Sequence, residues 1–222
     1  MMSHSSRLSP SVSRIRAAIS FFLVLPAILL VAPLCTANER LSLENSLIEM
    51  TFDPATGLIS SVVNKLTGET LGISEEGFWV ETEGFTLEPK KMMLQSLQRL
   101  SPESLEAIYL SSGYEVKSTY VLKRSDHFFT KKLSLRSSAP FGWKNVVVSR
   151  MKFPEQDFVL FRYPHQKTVT WFGRTTKGGI FTGMEMPFEN SEQWGRTLSL
   201  GYAPSLKVKA NEWLESEPFY LG

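Results

Sequence analysis

The sequence predicts an all-β fold: an antiparallel β-sandwich of many short strands with little helix. Apolar and polar residues alternate with a period of two in many short runs, as they do in half-buried strands. Turn-forming Gly, Pro, Asn and Asp separate these runs at near-regular spacing. Short strands at such spacing in one domain are typical of two packed antiparallel sheets.

Two successive hairpins are predicted at the start of the folded region. Residues 47–52 place Ile48, Met50 and Phe52 on one face of a strand, and residues 53–57 read Asp-Pro-Ala-Thr-Gly, a turn sequence. Residues 58–63 form the predicted return strand, and residues 64–68 form the next turn.

The strongest hairpin prediction covers residues 114–136. Tyr114, Val116, Ser118, Tyr120 and Leu122 fall on one face, whereas the intervening residues are mostly charged or polar. This pattern predicts an antiparallel sheet with one face buried and the other exposed to solvent. Further strands are predicted at residues 146–148, 158–161, 168–172, 179–183 and 206–209.

Helix is expected to be scarce, and residues 90–100 are the best candidate. The segment is rich in helix formers, although its apolar residues could equally alternate along a strand. No internal domain boundary is visible after residue 38, so residues 38–222 are predicted to form a single domain.

Residues 1–37 have the composition of a secretory signal peptide. Three arginines precede an apolar run, and Cys35 and Ala37 supply the small residues of a cleavage site, predicted after Ala37. A membrane anchor needs about 20 uninterrupted apolar residues, and Pro26 and Pro33 break this run. Lipidation of Cys35 is a minor alternative because Leu34 stands where a small residue is expected. The expected location is secreted or periplasmic, with no stable membrane span after cleavage.

Cleavage changes the charge balance and the cysteine count. The full chain has 24 Lys+Arg and 22 Asp+Glu. Because the leader holds three arginines and no acid, the mature chain carries 21 basic and 22 acidic residues. This balance does not support nucleic acid as a partner. Cys35 is the only cysteine, so no disulfide is expected and stability must come from a packed core.

The mature sequence contains no recognisable catalytic motif, cofactor site or metal site. Its only histidines are His127 and His165, too few for a zinc site without cysteine. Gly-x-Ser-x-Gly is absent, and Lys177-Gly178-Gly179 leads into strand-like sequence and so is read as a hairpin turn. Paired carboxylates for glycoside chemistry cannot be identified by spacing; the possible acids are Asp157, Glu185, Glu189 and Glu217.

Aromatic and polar residues are concentrated between positions 163 and 196. The candidate carbohydrate-binding residues are His165, Trp171, Arg174, Glu185 and Trp194. Aromatic faces beside a few polar groups are how sugar rings are commonly held. The competing interpretation is that Trp171 and Phe172 belong to the sandwich core and that Trp194 covers a sheet edge.

Three segments resemble the galactose-mutarotase-like β-supersandwich found as the N-terminal domain of α-galactosidase-like glycoside hydrolases. They are the opening hairpins at 43–69, the stretch at 178–187, and the closing stretch at 206–217 with Leu221-Gly222. In such enzymes the hydrolytic acids lie on a following barrel. The resemblance therefore implies a sugar-associated domain without its own hydrolytic centre.

Three functions follow as hypotheses. The first is an exported, non-catalytic carbohydrate-binding or glycosidase-accessory domain. The second is an aldose-epimerase-like (mutarotase) enzyme, since the fold also hosts mutarotases, whose chemistry needs a paired acid and base. The third is an exported structural or protein-interaction sandwich, because one fold serves many functions.

Overall fold

The computed structural model describes residues 41–153, 159–162, 170–175, 177–185 and 189–222. At residues 159–162 and 189–191 it describes the backbone alone. The predicted all-β class is confirmed: every pairing between the described strands is antiparallel. The strands are β1 (Ser42–Glu44), β2 (Ile48–Phe52), β3 (Ile59–Asn64), β4 (Glu69–Gly72), β5 (Glu75–Thr82), β6 (Thr86–Leu87), β7 (Met93–Ser101), β8 (Ser104–Ser111), β9 (Tyr114–Val121), β10 (Phe129–Ser137), β11 (Phe141–Lys152), β12 (Val159–Arg162), β13 (Thr170–Arg174), β14 (Gly179–Met184), β15 (Glu189–Trp194), β16 (Thr197–Tyr202), β17 (Leu206–Val208), β18 (Leu214–Glu215) and β19 (Phe219–Leu221).

Within the described residues the strands form three sheets. A four-stranded sheet has the order β1-β2-β3-β4. A nine-stranded sheet runs β12-β13-β14-β19-β10-β9-β8-β7, with β18 also paired to β10. A six-stranded sheet runs β15-β16-β11-β5-β6, with β17 also paired to β11. The inward faces of all three sheets contribute to one hydrophobic core.

Of the two interpretations left open for residues 90–100, helix or strand, the structure shows the strand. Pro89–Lys91 form one short 3-10 turn, and the chain then continues as strand β7, hydrogen-bonded to β8. The pairing with β8 supplies a partner for the backbone groups of a segment whose helix propensity is otherwise high, so tertiary context overrides local preference.

The alternation predicted for the central hairpin is confirmed. Along β9, Tyr114, Val116, Ser118 and Tyr120 are buried, whereas Glu115 and Lys117 lie on the opposite, wetter face. The same alternation continues on β10, where Arg136 lies directly opposite Glu115 in the cross-strand register. The outward face of the nine-stranded sheet therefore carries a set of charged side chains at fixed spacing.

Candidate functional site

A cleft of about 550 Å³ opens at one end of the nine-stranded sheet. Three segments border it: the turn between β8 and β9, the end of β10, and the turn that precedes β18. Its lining residues are Leu110, Ser111, Ser112, Gly113, Tyr114, Glu115, Arg136, Ser138 and Asn211. Most of these side chains are polar, which distinguishes the cleft from the sandwich core beneath it.

The turn between β8 and β9 is fixed by its two central residues. Ser112 and Gly113 both have positive φ, 45° and 81°, as a tight two-residue hairpin turn requires. The backbone amide of Ser138 donates to the Gly113 carbonyl at 3.0 Å. A Cβ at Gly113 would lie 2.9 Å from the Ser138 hydroxyl oxygen, so glycine permits this close approach. The turn is thereby held against the end of β10.

Asn211 borders the cleft from the other side. It has a φ of 61°, a left-handed conformation that asparagine tolerates better than most residues. Its backbone amide donates to the Ser137 carbonyl at 2.7 Å, which fixes the turn against β10. Its side chain is exposed, with no hydrogen-bond partner among the described residues.

Arg136 is the most constrained charged group of the cleft. A terminal guanidinium nitrogen donates to the Glu115 carboxylate directly across the strands. The guanidinium carbon also lies 4.5 Å from the centroid of the Trp213 ring, a cation–π distance. Arg136 is thus held by an ion pair and by an aromatic ring, which orients its remaining donors in the cleft wall.

A second cation extends the same surface. The Lys117 ammonium lies 4.6 Å from the centroid of the Trp213 ring and 4.0 Å from the Glu106 carboxylate. Each of the two basic side chains therefore has an acidic neighbour, Glu115 for Arg136 and Glu106 for Lys117. The charges beside the cleft balance in pairs.

The cleft also offers uncharged hydrogen-bonding groups. The hydroxyls of Ser111, Ser112 and Ser138 have no hydrogen-bond partner among the described residues. An apolar wall lies beside them. Tyr114 is 8% exposed, and the centroid of its ring lies 5.6 Å from the centroid of the Phe141 ring. This combination of hydroxyls, an amide and an oriented guanidinium suits a ligand rich in neutral hydroxyl groups.

The five residues predicted from the sequence do not form one cluster in the described structure. Arg174 and Glu185 are exposed at opposite ends of the β13–β14 hairpin, separated by about 20 Å at roughly 3.3 Å per strand residue. Trp194 lies on β15 of the six-stranded sheet and is 76% exposed. Trp171 is only 9% exposed and belongs to the core. His165 lies outside the described residues.

Trp171 and Trp194, which could each lie in the core or on the surface, differ in the structure. The core interpretation holds for Trp171, whereas Trp194 stands in solvent at the tip of the β15–β16 hairpin. His127 is exposed and lines a different pocket from the cleft. Among the candidate acids, Glu217 and Glu185 are exposed, Asp157 lies outside the described residues, and the side chain of Glu189 is not described.

Sequence reasoning missed Arg136, Asn211 and Trp213 as site residues. The alternation along residues 114–136 did place the charged residues on one face, which was the available signal. Trp213 is distant in sequence, and only the pairing of β18 with β10 brings it over Arg136. That pairing has no local signature.

Metal binding and membrane association are the remaining features of the described ranges. No group of three or more His, Cys, Asp or Glu side chains there could hold a metal ion. Nor does any helix in those ranges have the length and apolar character needed to cross a bilayer.

The fold can be compared with solved structures. A galactose mutarotase related enzyme from Lactobacillus acidophilus matches with a TM-score of 0.57 and 10% identity, covering 82% of this chain and 96% of the other. A galactose mutarotase-like protein from Lactobacillus casei matches with a TM-score of 0.52 and 7% identity, covering 82% of this chain and all of the other. No family model and no curated protein matches the chain.

Two longer proteins contain the same fold as one part. A polysaccharide lyase matches with a TM-score of 0.53 and 11% identity, over 80% of this chain and 32% of the lyase. A protein described as a kojibiose phosphorylase, from the human microbiome, matches with a TM-score of 0.50 and 11% identity, over 81% of this chain and 29% of the other. The chain is an all-β sandwich; more specifically, its fold is similar to that of these galactose mutarotase-like proteins.

Proposed function

We propose that the chain is an exported carbohydrate-binding domain, without a catalytic centre of its own, that holds a saccharide in the cleft between Ser111 and Asn211. The observation that carries this proposal is the position of Arg136. Its guanidinium is oriented by Glu115 and Trp213 at the wall of a polar cleft.

The cleft offers the groups that sugar hydroxyls need. Hydroxyl groups both donate and accept, so they pair well with a guanidinium, serine hydroxyls and an asparagine amide. The cleft volume of about 550 Å³ falls within the range of roughly 300–1,000 Å³ typical of small-molecule sites. Because each cation beside the cleft already has an acidic neighbour, a neutral saccharide fits better than an acidic one.

The structural neighbours support a carbohydrate-related role. They include a galactose mutarotase related enzyme, a protein described as a kojibiose phosphorylase and a polysaccharide lyase. In the latter two the shared fold makes up about a third of the chain. A non-catalytic domain that positions saccharide for a neighbouring catalytic unit is consistent with that arrangement.

Calorimetric titration with neutral mono- and oligosaccharides tests the proposal. We expect saturable binding by the purified protein, weakened at least tenfold in Arg136→Leu. Trp194→Ala is the control: it removes a 76% exposed side chain from the six-stranded sheet and leaves the cleft intact. Loss of binding only in Trp194→Ala would move the site to that hairpin tip. Absence of binding to any saccharide by folded protein would contradict the proposal.

A polarimetric assay of mutarotation separates binding from epimerase activity. The carboxylate lining the cleft, Glu115, is already paired with Arg136, so we expect no acceleration over buffer. A catalysed rate that is lost in Glu115→Gln would replace the binding proposal with an enzymatic one.

Export is the second part of the proposal, and it rests on the leader at residues 1–37. Intact-mass measurement of protein recovered outside the cytoplasm should give a chain beginning at Asn38. Recovery of the chain only inside the cell with its leader intact would contradict export.

A further inference from the structure

A second pocket, of about 210 Å³, lies between the four-stranded sheet and the β13–β14 hairpin. Its walls are mainly aliphatic, with one phenyl ring and, at the border, the His127 imidazole. The apolar lining residues include Leu47, Ile48, Val62, Val63, Ile180 and Phe181. The pocket is mostly apolar, whereas the cleft is polar. The two lie at opposite ends of β10, so the length of that strand separates them by about 27 Å.

Polar groups border one side of this pocket. Glu69, the first residue of β4, accepts a hydrogen bond from the Thr175 hydroxyl at 2.5 Å, which joins the four-stranded sheet to the β13–β14 hairpin. The side-chain oxygen of Asn64 accepts from the backbone amides of Leu66 and Thr67, at 3.0 and 3.3 Å. That bonding fixes the Asn64 side chain and leaves its amide nitrogen, a double donor, without a partner among the described residues.

We propose that this pocket binds a small neutral aromatic molecule with one oxygen acceptor, of the phenol or aryl-ether class. A cavity of about 150 Å³ lined by Leu, Ile and Phe is known to hold benzene, so about 210 Å³ accommodates one substituted ring. The apolar walls bind the ring, and the Asn64 amide donates to the oxygen. The Glu69 carboxylate at the same border disfavours an anionic ligand.

This site is independent of the proposed saccharide cleft, because the two share no lining residue. A sugar ring carries a hydroxyl on most carbons, whereas most of this pocket wall offers no hydrogen-bonding group. Burying sugar hydroxyls here would leave them unpaired, at about 1–3 kcal/mol each.

The test uses two probes of similar size, anisole and toluene, followed by amide chemical shifts in two-dimensional NMR. Anisole has an ether oxygen that only accepts, and toluene lacks it. We expect both to shift resonances of residues 62–71 and 179–181, with anisole binding several-fold more tightly.

Three variants and one control separate the contribution of the apolar walls from that of the Asn64 amide. Val63→Phe and Ile180→Phe fill the pocket from opposite walls, and each should weaken anisole binding at least tenfold. Asn64→Asp keeps the oxygen that holds the turn but removes the amide donor, so it should abolish the preference for anisole over toluene. Trp194→Ala should bind like the wild type.

The outcomes are decisive in both directions. If neither filling variant, shown by circular dichroism to be folded, weakens binding, the ligand lies elsewhere and the proposal is overturned. Absence of any shift with 10-fold molar excess of both probes overturns it as well. If Asn64→Asp still prefers anisole, the assigned donor is wrong.

Discussion

The Glu76 carboxylate on β5 and the Lys131 ammonium on β10 form an ion pair in which both side chains have no solvent exposure. The same carboxylate accepts hydrogen bonds from the Tyr120 hydroxyl at 3.4 Å and from the Ile59 backbone amide at 3.3 Å. Ile59 belongs to the four-stranded sheet, Glu76 to the six-stranded sheet, and Tyr120 and Lys131 to the nine-stranded sheet. One carboxylate therefore links all three sheets.

Removing the charge of Glu76 should lower the free energy of unfolding. In Glu76→Gln the Lys131 ammonium would remain buried without a counter-charge, and breaking one side of a buried pair typically costs about 3–5 kcal/mol. Urea denaturation should show that decrease in the free energy of unfolding. The neighbouring Glu75→Gln is the matched control. Its partner Lys90 is largely exposed, so the free energy of unfolding should fall by less than about 1 kcal/mol.

The double variant Glu76→Leu with Lys131→Met tests whether the pair or the packing matters. Replacing both charges by apolar groups of similar size is often neutral or stabilising, so it should be more stable than Glu76→Gln alone. Equal destabilisation of the single and double variants would show that packing, and not an uncompensated charge, accounts for the loss.

Stability should fall in alkaline solution because of two buried phenols. Burial raises the pKa of Tyr109 and Tyr120 above the ordinary value near 10, and the nearby Glu76 charge adds to this. A folded-state pKa above the unfolded value gives stability that is fully present below pH about 10 and is lost as the pH rises further. Burial lowers the pKa of Lys131, which acts in the opposite direction over the same range.

Absorbance at 295 nm measures this ionisation directly. A fraction of the phenols should ionise only together with unfolding, as followed by circular dichroism, and this fraction should shrink in Tyr109→Phe. If all tyrosines ionise before the circular dichroism signal changes, the two rings are accessible and the expectation is wrong.

Gly57→Ala should destabilise the protein more than Gly68→Ala. Both glycines have positive φ, 70° and 67°, so an alanine at either position carries a backbone penalty of about 1 kcal/mol. Only at Gly57 would the new Cβ meet neighbours, at 2.9 Å from Leu94 and from the Tyr109 hydroxyl. We expect an additional loss of about 1–3 kcal/mol in urea denaturation. Equal decreases in the free energy of unfolding for the two variants would show that Leu94 and Tyr109 move to accommodate the new Cβ.

Most of the fold could be predicted because its strands have local signatures. The turn at residues 53–57, the hairpin at 114–136 and the Lys177-Gly178-Gly179 turn are all set by alternation and by glycine or proline at fixed offsets. Residues 93–101 lack such a signature. Their strand state depends on β8, which supplies the backbone partners.

The site was harder to predict because it is assembled from distant segments. Glu115 and Arg136 stand in one predicted hairpin, so their pairing could have been inferred from the register. Asn211 and Trp213 join them through β18, about 80 residues further along the chain. Trp171 and Trp194 are both tryptophans in the same aromatic-rich stretch, and composition alone cannot distinguish core from surface.

Strand β19 lies between β14 and β10 in the interior of the nine-stranded sheet, although Leu221 pairs with Phe129 from about 90 residues away. Closing such a long loop carries an entropy cost, and contacts between residues far apart in sequence form slowly. This sheet should therefore be completed late in folding. Until residues 219–221 are in place, β10 and β14 each present an unpaired edge, a template for association between chains. Partly folded molecules should therefore aggregate through these edges, and refolding yield should fall steeply as protein concentration rises.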